Sequence, residues 1–203
     1  MNLAEKVQHL LDRELIRDVI VRYCHGADRA DRQVLDSVYW PDAVDDHGVF
    51  SGSAAEYIEF LLDGAKVMDQ MQHLVGNMLI RNDATNAQCE SYFIGYHRQR
   101  NEADEPFDFM AGGRYLDQLE KRDGEWRILD RKVVFDWFRT LKGSADWAEG
   151  IHGVPVTMGA RTPHDLSDKL FVKQPLPEQA ENFAGETNTH STLAGPFMAL
   201  QND

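Results

Sequence analysis

Two cysteines, Cys24 and Cys89, are all that 203 residues contain. They are too few for a disulfide framework and lack the spacing of a metal site; they suit a reducing compartment. Basic charge is scarce as well: 21 Lys and Arg stand against 34 Asp and Glu, a net charge of −13, with no Lys/Arg cluster. That balance excludes nucleic acid as a partner and argues against a strongly acidic substrate unless a local cationic site exists. Nowhere does an apolar run approach the roughly 18 residues that span a membrane. Met1 to Lys6 lacks the basic start and following apolar run of a secretory leader. The expectation is a cytoplasmic protein with no membrane contact. There is no phosphate-cradling glycine loop and no dinucleotide fingerprint. Asp46-His47 looks like a metal fragment, but two adjacent ligands do not make a site, and no metal is expected.

What is present is pattern. Leu10, Leu11, Leu15, Ile16, Val19, Ile20 and Tyr23 recur at three- and four-residue spacing, which predicts an amphipathic helix over 3–25. Val34, Leu35, Val38 and Tyr39 restart that period over 31–39, and Pro41 stops it. A short strand is expected over 43–50, after which Ser53 caps a third helix through Tyr57, Ile58, Leu61, Leu62 and Val67. From His73 the period becomes extended, with strands over 74–80, 87–98, 107–121 and 125–137. Arg122-Asp123-Gly124 is a hairpin signal, and Gly112-Gly113 marks a bulge or bend.

Three helices followed by hairpin-linked strands give an α+β fold, with the helices packed on a curved, mixed, mainly antiparallel sheet. A ligand would sit in the concavity between them. Beyond residue 141, Gly and Pro interrupt every period. Residues 1–140 therefore read as one domain. Residues 141–203 read as an irregular extension docked on the barrel or on a neighbouring subunit. A short helix is expected near 163–170, capped by Thr162, and Trp147, Phe171, Phe183 and Phe197 favour docking.

Two stretches carry chemistry. Tyr23-Cys24-His25-Gly26-Ala27-Asp28 closes the first helix, with Gly26 permitting the left-handed conformation that ends it. Asp28 is then either a cap satisfied by Arg29 or Arg32, or a carboxylate at a helix junction beside buried surface. Met71-Gln72-His73 puts a histidine at a strand start, where it either bonds backbone or joins Asp28 in a general-base dyad. On the last strand Leu129, Arg131, Val133, Phe135 and Trp137 share one face by alternation. An arginine there needs a partner: a substrate oxyanion, or a buried acid such as Asp28. Tyr23 is either core or a hydrogen-bond donor to substrate, the latter only if Gly26 breaks the helix. Asp31, Asp46, His47, Tyr92, Tyr96, His97 and Arg114 are second-rank pocket candidates.

These residues carry a resemblance. Tyr23-x4-Asp28, Tyr39-Trp40-Pro41-Asp42-Ala43, His73 and the hairpin Arg122 to Ile128 resemble, in order and spacing, the SnoaL-like branch of the nuclear transport factor 2-like superfamily over residues 8–138. The resemblance implies a cone-shaped α+β barrel, a mostly apolar pocket and no cofactor. From the dehydratases and the lindane dehydrochlorinase of that branch it implies Asp28 and His73 as the catalytic dyad, with Tyr23 and Arg131 as the matched pocket tyrosine and arginine. Trp40, Tyr92, Tyr96, Arg114, Phe135 and Trp137 are expected to bind substrate. The expected activity is a cofactor-independent lyase acting on a small hydrophobic, hydroxylated aromatic or polycyclic substrate, by dehydration or by deformylating carbon–carbon cleavage of a lignin-derived diol. An isomerase or cyclase of a steroid or polyketide, a ligand-binding domain and a dioxygenase accessory subunit are the alternatives within the superfamily. The sheet is expected to pack against a second copy, giving a homodimer or homotrimer.

Overall fold

The computed structural model describes residues 1–142 and 150–171. Helix α1, Leu3–Arg29, starts at a capping box: the Asn2 side chain accepts from the Glu5 N–H, and the Glu5 carboxylate accepts from the Asn2 N–H. It runs past Gly26 and ends at Ala30, which takes the left-handed conformation (φ 52°, ψ 41°). Gly26 is therefore not the terminator expected from sequence. A β-carbon there would lie 3.0 Å from Leu35 Cγ, so the glycine lets α2, Arg32–Val38, pack closely. Asp31 caps α2 by accepting from the Val34 N–H.

The chain is already extended at Tyr39, where helix was expected, and Pro41 lies inside β1, Tyr39–Asp46. A two-strand turn leads through β2, Ser51–Ser53, into α3, Ala54–Ala65, which opens on the predicted Ser53 cap. Strand β3, Met68–Asn82, begins six residues before the predicted boundary at 74. β4, Asn86–Arg100, β5, Pro106–Arg122, and β6, Glu125–Lys142, complete the sheet, and a short α4, Leu166–Phe171, follows. Strand order is β2-β1-β6-β5-β4-β3, antiparallel throughout except for the β1–β6 pair, the mixed sheet expected. Ile16, Val19, Ile20 and Tyr23 of α1 are buried in one cluster with Cys89, Phe93, Tyr115, Leu119 and Ile128 of the sheet. Full burial of such side chains stabilises by about 1.5–3 kcal/mol each.

Two bulges on β6 decide which residues face inward. Leu119 pairs with Ile128 but Gln118 with Asp130, which leaves Leu129 as an extra residue. Gly113 pairs with Phe135 but Gly112 with Trp137, which makes Asp136 a second one. Each insertion reverses the parity of the strand. Trp126 and Ile128 face the core before the first bulge, Arg131 and Val133 after it. The single face predicted from Leu129 to Trp137 is thus corrected: Arg131, Val133 and Phe135 share it, while Leu129 and Trp137 do not.

The described part of the extension, residues 150–171, meets the end of α1 and the start of β3 through residues 159–162. The Thr162 N–H donates to the Arg29 carbonyl at 2.9 Å, Arg29 Nη1 donates to the Ala160 carbonyl at 2.8 Å, and Gln70 Nε2 donates to the Gly159 carbonyl at 2.7 Å. Trp147, Phe183 and Phe197, named above as docking side chains, lie outside the described residues, as does the side chain of Phe171. No helix among the described residues is long and apolar enough to cross a membrane.

Candidate active site

The last turn of α1 carries Asp28 to the start of β3, where His73 faces it. Asp28 Oδ1 lies 2.7 Å from His73 Nδ1, and Oδ2 accepts the His73 backbone N–H at 2.9 Å. One carboxylate thus fixes both the imidazole and the strand that bears it. With the ring proton on Nδ1, the lone pair is left on Nε2. That nitrogen has no hydrogen-bond partner among the described residues. Opposite it on β4 is Gly95; a β-carbon there would lie 3.3 Å from Nε2, so the glycine leaves the imidazole its space.

A row of rings continues along the same sheet face. His97 meets His73 edge-on at 5.3 Å, Phe109 lies 6.1 Å from His97, and Phe138 lies 6.3 Å from Phe109. Deeper in, Phe135 meets Phe93 at 6.0 Å, and Phe93 stacks on Tyr115 at 4.4 Å. Burial, aided by the charges of His73 and Arg161, pushes His97 down to about 4 and keeps it neutral.

Behind this surface lies a hydrogen-bonded polar core. Asp45 Oδ1 is 2.9 Å from His47 Nδ1, and Asp45 Oδ2 accepts from the Tyr39 hydroxyl at 2.7 Å. His47 Nε2 is 3.1 Å from the Tyr57 hydroxyl, which is 2.8 Å from that of Tyr23. Arg131, with no exposed surface, forms a bidentate pair with Asp117, Nε–Oδ1 2.6 Å and Nη2–Oδ2 2.9 Å. Its guanidinium carbon lies 4.0 Å from the Tyr23 ring centroid and 4.4 Å from that of Tyr115. Burial opposes the charge of Arg131, but Asp117 together with Tyr39 and Tyr23 holds the pKa well above the usual value. Burial raises the pKa values of Tyr23, Tyr39, Tyr57 and Tyr115, so all four hydroxyls stay protonated. Burial also pushes the Cys24 and Cys89 thiols up to about 12, which leaves them unreactive.

Of the residues expected at a site, Asp28 and His73 are brought together. Tyr23 points from the unbroken α1 to Tyr57, and the acid paired with Arg131 is Asp117, not Asp28. Asp31 is a helix cap, and Asp46 pairs with Lys132 at 2.7 Å. His47 turns to Asp45 rather than to its neighbour Asp46.

Among the expected substrate contacts only Phe135 lies on the His73 face. Trp40 donates to the Glu120 carbonyl and is flanked by Arg122 and Arg127, each 4.8 Å away. Since Phe93, Gly95 and His97 face inward, the period of two turns Tyr92 and Tyr96 outward. Arg114, opposite Tyr92, pairs with Asp136 on that outer face, and Tyr96 donates to Asp108. Trp137 covers Gly112 there. The reading from sequence missed Tyr39, Asp45, Tyr57, Phe109, Asp117, Phe138 and Arg161. The Asp45-x-His47 spacing, two residues on one face of a strand, was the available signal for the first group.

The sequence model of the SnoaL-like domain family matches residues 8–132. Among solved structures, the type 3 hexachlorocyclohexane dehydrochlorinase of Novosphingobium barchaimii LL02 aligns with a TM-score of 0.61 at 19% identity, covering 70% of this chain and 97% of that one. A candidate scytalone dehydratase from Novosphingobium aromaticivorans DSM 12444 gives 0.59 at 20% identity, covering 70% and 99%. A nuclear transport factor 2-like protein from Salmonella enterica serovar Typhimurium gives 0.55 at 16% identity, covering 63% and 92%. At these identities the likeness is one of fold. Comparison with curated proteins gave no significant match.

Proposed function

We propose, from the premise that this chain belongs to the SnoaL-like domain family of the nuclear transport factor 2-like superfamily, that it is a cofactor-independent lyase. Its substrate would be small, hydrophobic and hydroxylated, aromatic or polycyclic. The observation that carries the reading is the double hold of Asp28 on His73, which leaves Nε2 as a fixed base without a partner among the described residues. Dehydrochlorinase and dehydratase relatives of the same fold support it.

In this reading His73 Nε2 removes a proton, and the Nδ1–H bond to Asp28 stabilises the resulting imidazolium. If the proton leaves carbon, the C–H electron pair forms the new double bond, and the neighbouring hydroxyl takes the proton from the His73 imidazolium and departs as water. If it leaves the O–H of a primary alcohol, the oxygen's electron pair closes the formaldehyde carbonyl, the carbon–carbon bond breaks, and the carbon that keeps its electron pair takes the proton from the His73 imidazolium. Positioned general-base catalysis of this kind is worth about 10²–10⁴-fold. Phe109, Phe135 and Phe138 supply the apolar surface beside the base. In this reading Tyr23, bonded to Tyr57, and Arg131, engaged by Asp117, brace the core behind the base rather than touch substrate.

Mass spectrometry of reactions with hydroxylated aromatics, steroids and lignin-type diols tests this. The expected outcome is loss of the mass of water or of formaldehyde, abolished by His73→Ala, strongly reduced by Asp28→Asn and indifferent to chelator. A product of unchanged mass would instead identify an isomerase or cyclase.

Tyr92, Ile94, Leu74, Leu79 and Trp137 are each more than 40% exposed on the convex face of the sheet. That surface supports assigning it to the contact between copies in a homodimer or homotrimer. Light scattering that returns a monomer at micromolar concentration would remove this assignment.

A further inference from the structure

The extension beyond the barrel brings one cation to the dyad. Arg161 donates through Nη1 to the backbone carbonyl of Asp28, the dyad carboxylate's own residue. Its other amino group, Nη2, is buried and has no hydrogen-bond partner among the described residues. The segment that bears it is held on both sides. Thr162 N–H bonds to the Arg29 carbonyl, Arg29 Nη1 lies 3.0 Å from Asp165 Oδ2, and the Ala160 N–H donates to that same carboxylate at 2.8 Å. Arg161 is therefore not a free surface side chain that swings in water.

Arg161 also lines a pocket of about 420 Å³ together with Ala30, Arg32, Glu59, Leu62, Asp63, Ala65 and Lys66. One lining residue, Ala65, belongs to a buried cluster with Ala27 and Met71, and these two lie next to Asp28 and close before His73 in sequence. The charges of this pocket sort themselves. Arg32 pairs with Glu59 and Lys66 with Asp63, whereas no ion pair to Arg161 occurs among the described residues. A buried donor without a partner is destabilising, the more so when charged. A ligand oxygen would remove that cost and, if anionic, gain a charge-assisted bond.

We propose that Arg161 binds an anionic oxygen of the substrate, a carboxylate or a phenolate, and so positions the substrate against His73. The cationic site that the composition demands of any acidic ligand is supplied by the extension rather than by the barrel. Substrate orientation then depends on Arg161 and proton removal on His73. This proposal rests on the reading of the dyad as a base, but its test does not.

Calorimetry with 3-phenylpropanoate and its methyl ester, and with 4-nitrophenolate and its methyl ether, measures binding without turnover. The wild-type protein is expected to bind at least one anion about ten- to a hundredfold more tightly than its neutral counterpart. Arg161→Gln should abolish that preference while leaving the affinity for the ester or ether unchanged, which also shows the mouth intact. Arg161→Lys should retain part of it. His73→Ala should retain all of it, so loss of the base chemistry and loss of the anion site are separate results. The carboxylate and phenolate arms identify which oxygen is read. Equal affinity for anion and neutral form, an unchanged preference in Arg161→Gln, or no binding of either anion at millimolar concentration would overturn the proposal.

Discussion

Two aspartate–histidine pairs lie among the described residues, and they differ at one atom. In both, a carboxylate oxygen holds Nδ1, at 2.7 Å in Asp28–His73 and 2.9 Å in Asp45–His47. In both, the carboxylate accepts a second bond, from the His73 backbone N–H in one case and the Tyr39 hydroxyl in the other. The difference is Nε2. That of His47 meets the Tyr57 hydroxyl and continues into Tyr23, whereas that of His73 has no partner among the described residues. A carboxylate–imidazole pair is therefore not in itself a catalytic device. Closed by a second hydrogen bond it is a strut in a polar core; left open it keeps the lone pair that the proposed base needs.

The surroundings follow the same division. Around His47, Tyr23 bonds Tyr57, and Tyr39 bridges Asp45 and the Arg131–Asp117 pair, while the buried Tyr115 hydroxyl has no hydrogen-bond partner among the described residues and packs against the Arg131 guanidinium. Removing one partner from such a buried network leaves the other unsatisfied. Around His73 lie the rings of His97, Phe109 and Phe138, packed on one another with no ring-to-ring hydrogen bond, leaving apolar surface for a ligand.

The comparison breaks most sharply at Arg131. Arg131→Leu leaves the Asp117 carboxyl buried without its partner, and is expected to cost about 3–5 kcal/mol of stability. The double variant Arg131→Leu/Asp117→Leu should recover most of that loss, since both charges are then gone. His73→Ala, at the open pair, should instead lower activity by about 10²–10⁴-fold with a much smaller change in stability. Urea midpoints and initial rates on the same preparations check both. An Arg131→Leu protein as stable as wild type would show that the closed region is not the strut described.

How much of this was legible in the sequence varies with the kind of signal. The α3 cap at Ser53 and the Asp123-Gly124 turn were readable because each is set by a few adjacent residues. The dyad was readable through resemblance, since Asp28 and His73 keep the order and spacing of a family pattern. The end of α1 was not, because Gly26 serves a contact with Leu35 that only the folded chain creates. Nor was the face of Arg131. Two single-residue bulges, at Leu129 and Asp136, each reverse the alternation, and nothing in the local sequence marks an inserted residue in a strand otherwise rich in Val, Phe and Trp. Asp117 lies directly opposite Arg131 on β5, so their pairing depends on register, which alternation alone does not give. The same arithmetic moved Tyr92, Tyr96 and Arg114 to the outer face once Phe93 was turned inward.

A smaller effect sharpens the contrast from the side of the open pair. His97, next to His73, is held down to about 4 chiefly by burial, with the charges of His73 and Arg161 acting the same way, His47 adding to them and a hydrogen bond to Phe109 opposing. Its ordinary value is about 6.5. Below that value the unfolded chain takes up a proton that the folded chain refuses, so folding stability falls as pH drops from about 6.5 toward 4; above it, His97 contributes no slope. Between about pH 7 and pH 5 the loss from this one group is expected to be about 2 kcal/mol. His97→Asn should remove that part of the loss. A remainder of the same sign should persist, because burial lowers His47 as well, against the pull of Asp45. Urea denaturation of both proteins at the two pH values measures the difference. If the two lose stability equally, the ring row beside the base is wetter than its packing implies, and the open pair would sit in solvent rather than at the edge of a dry surface. If they differ as expected, the His73 imidazole lies at the edge of a dry ring row, the setting that the proposed base requires.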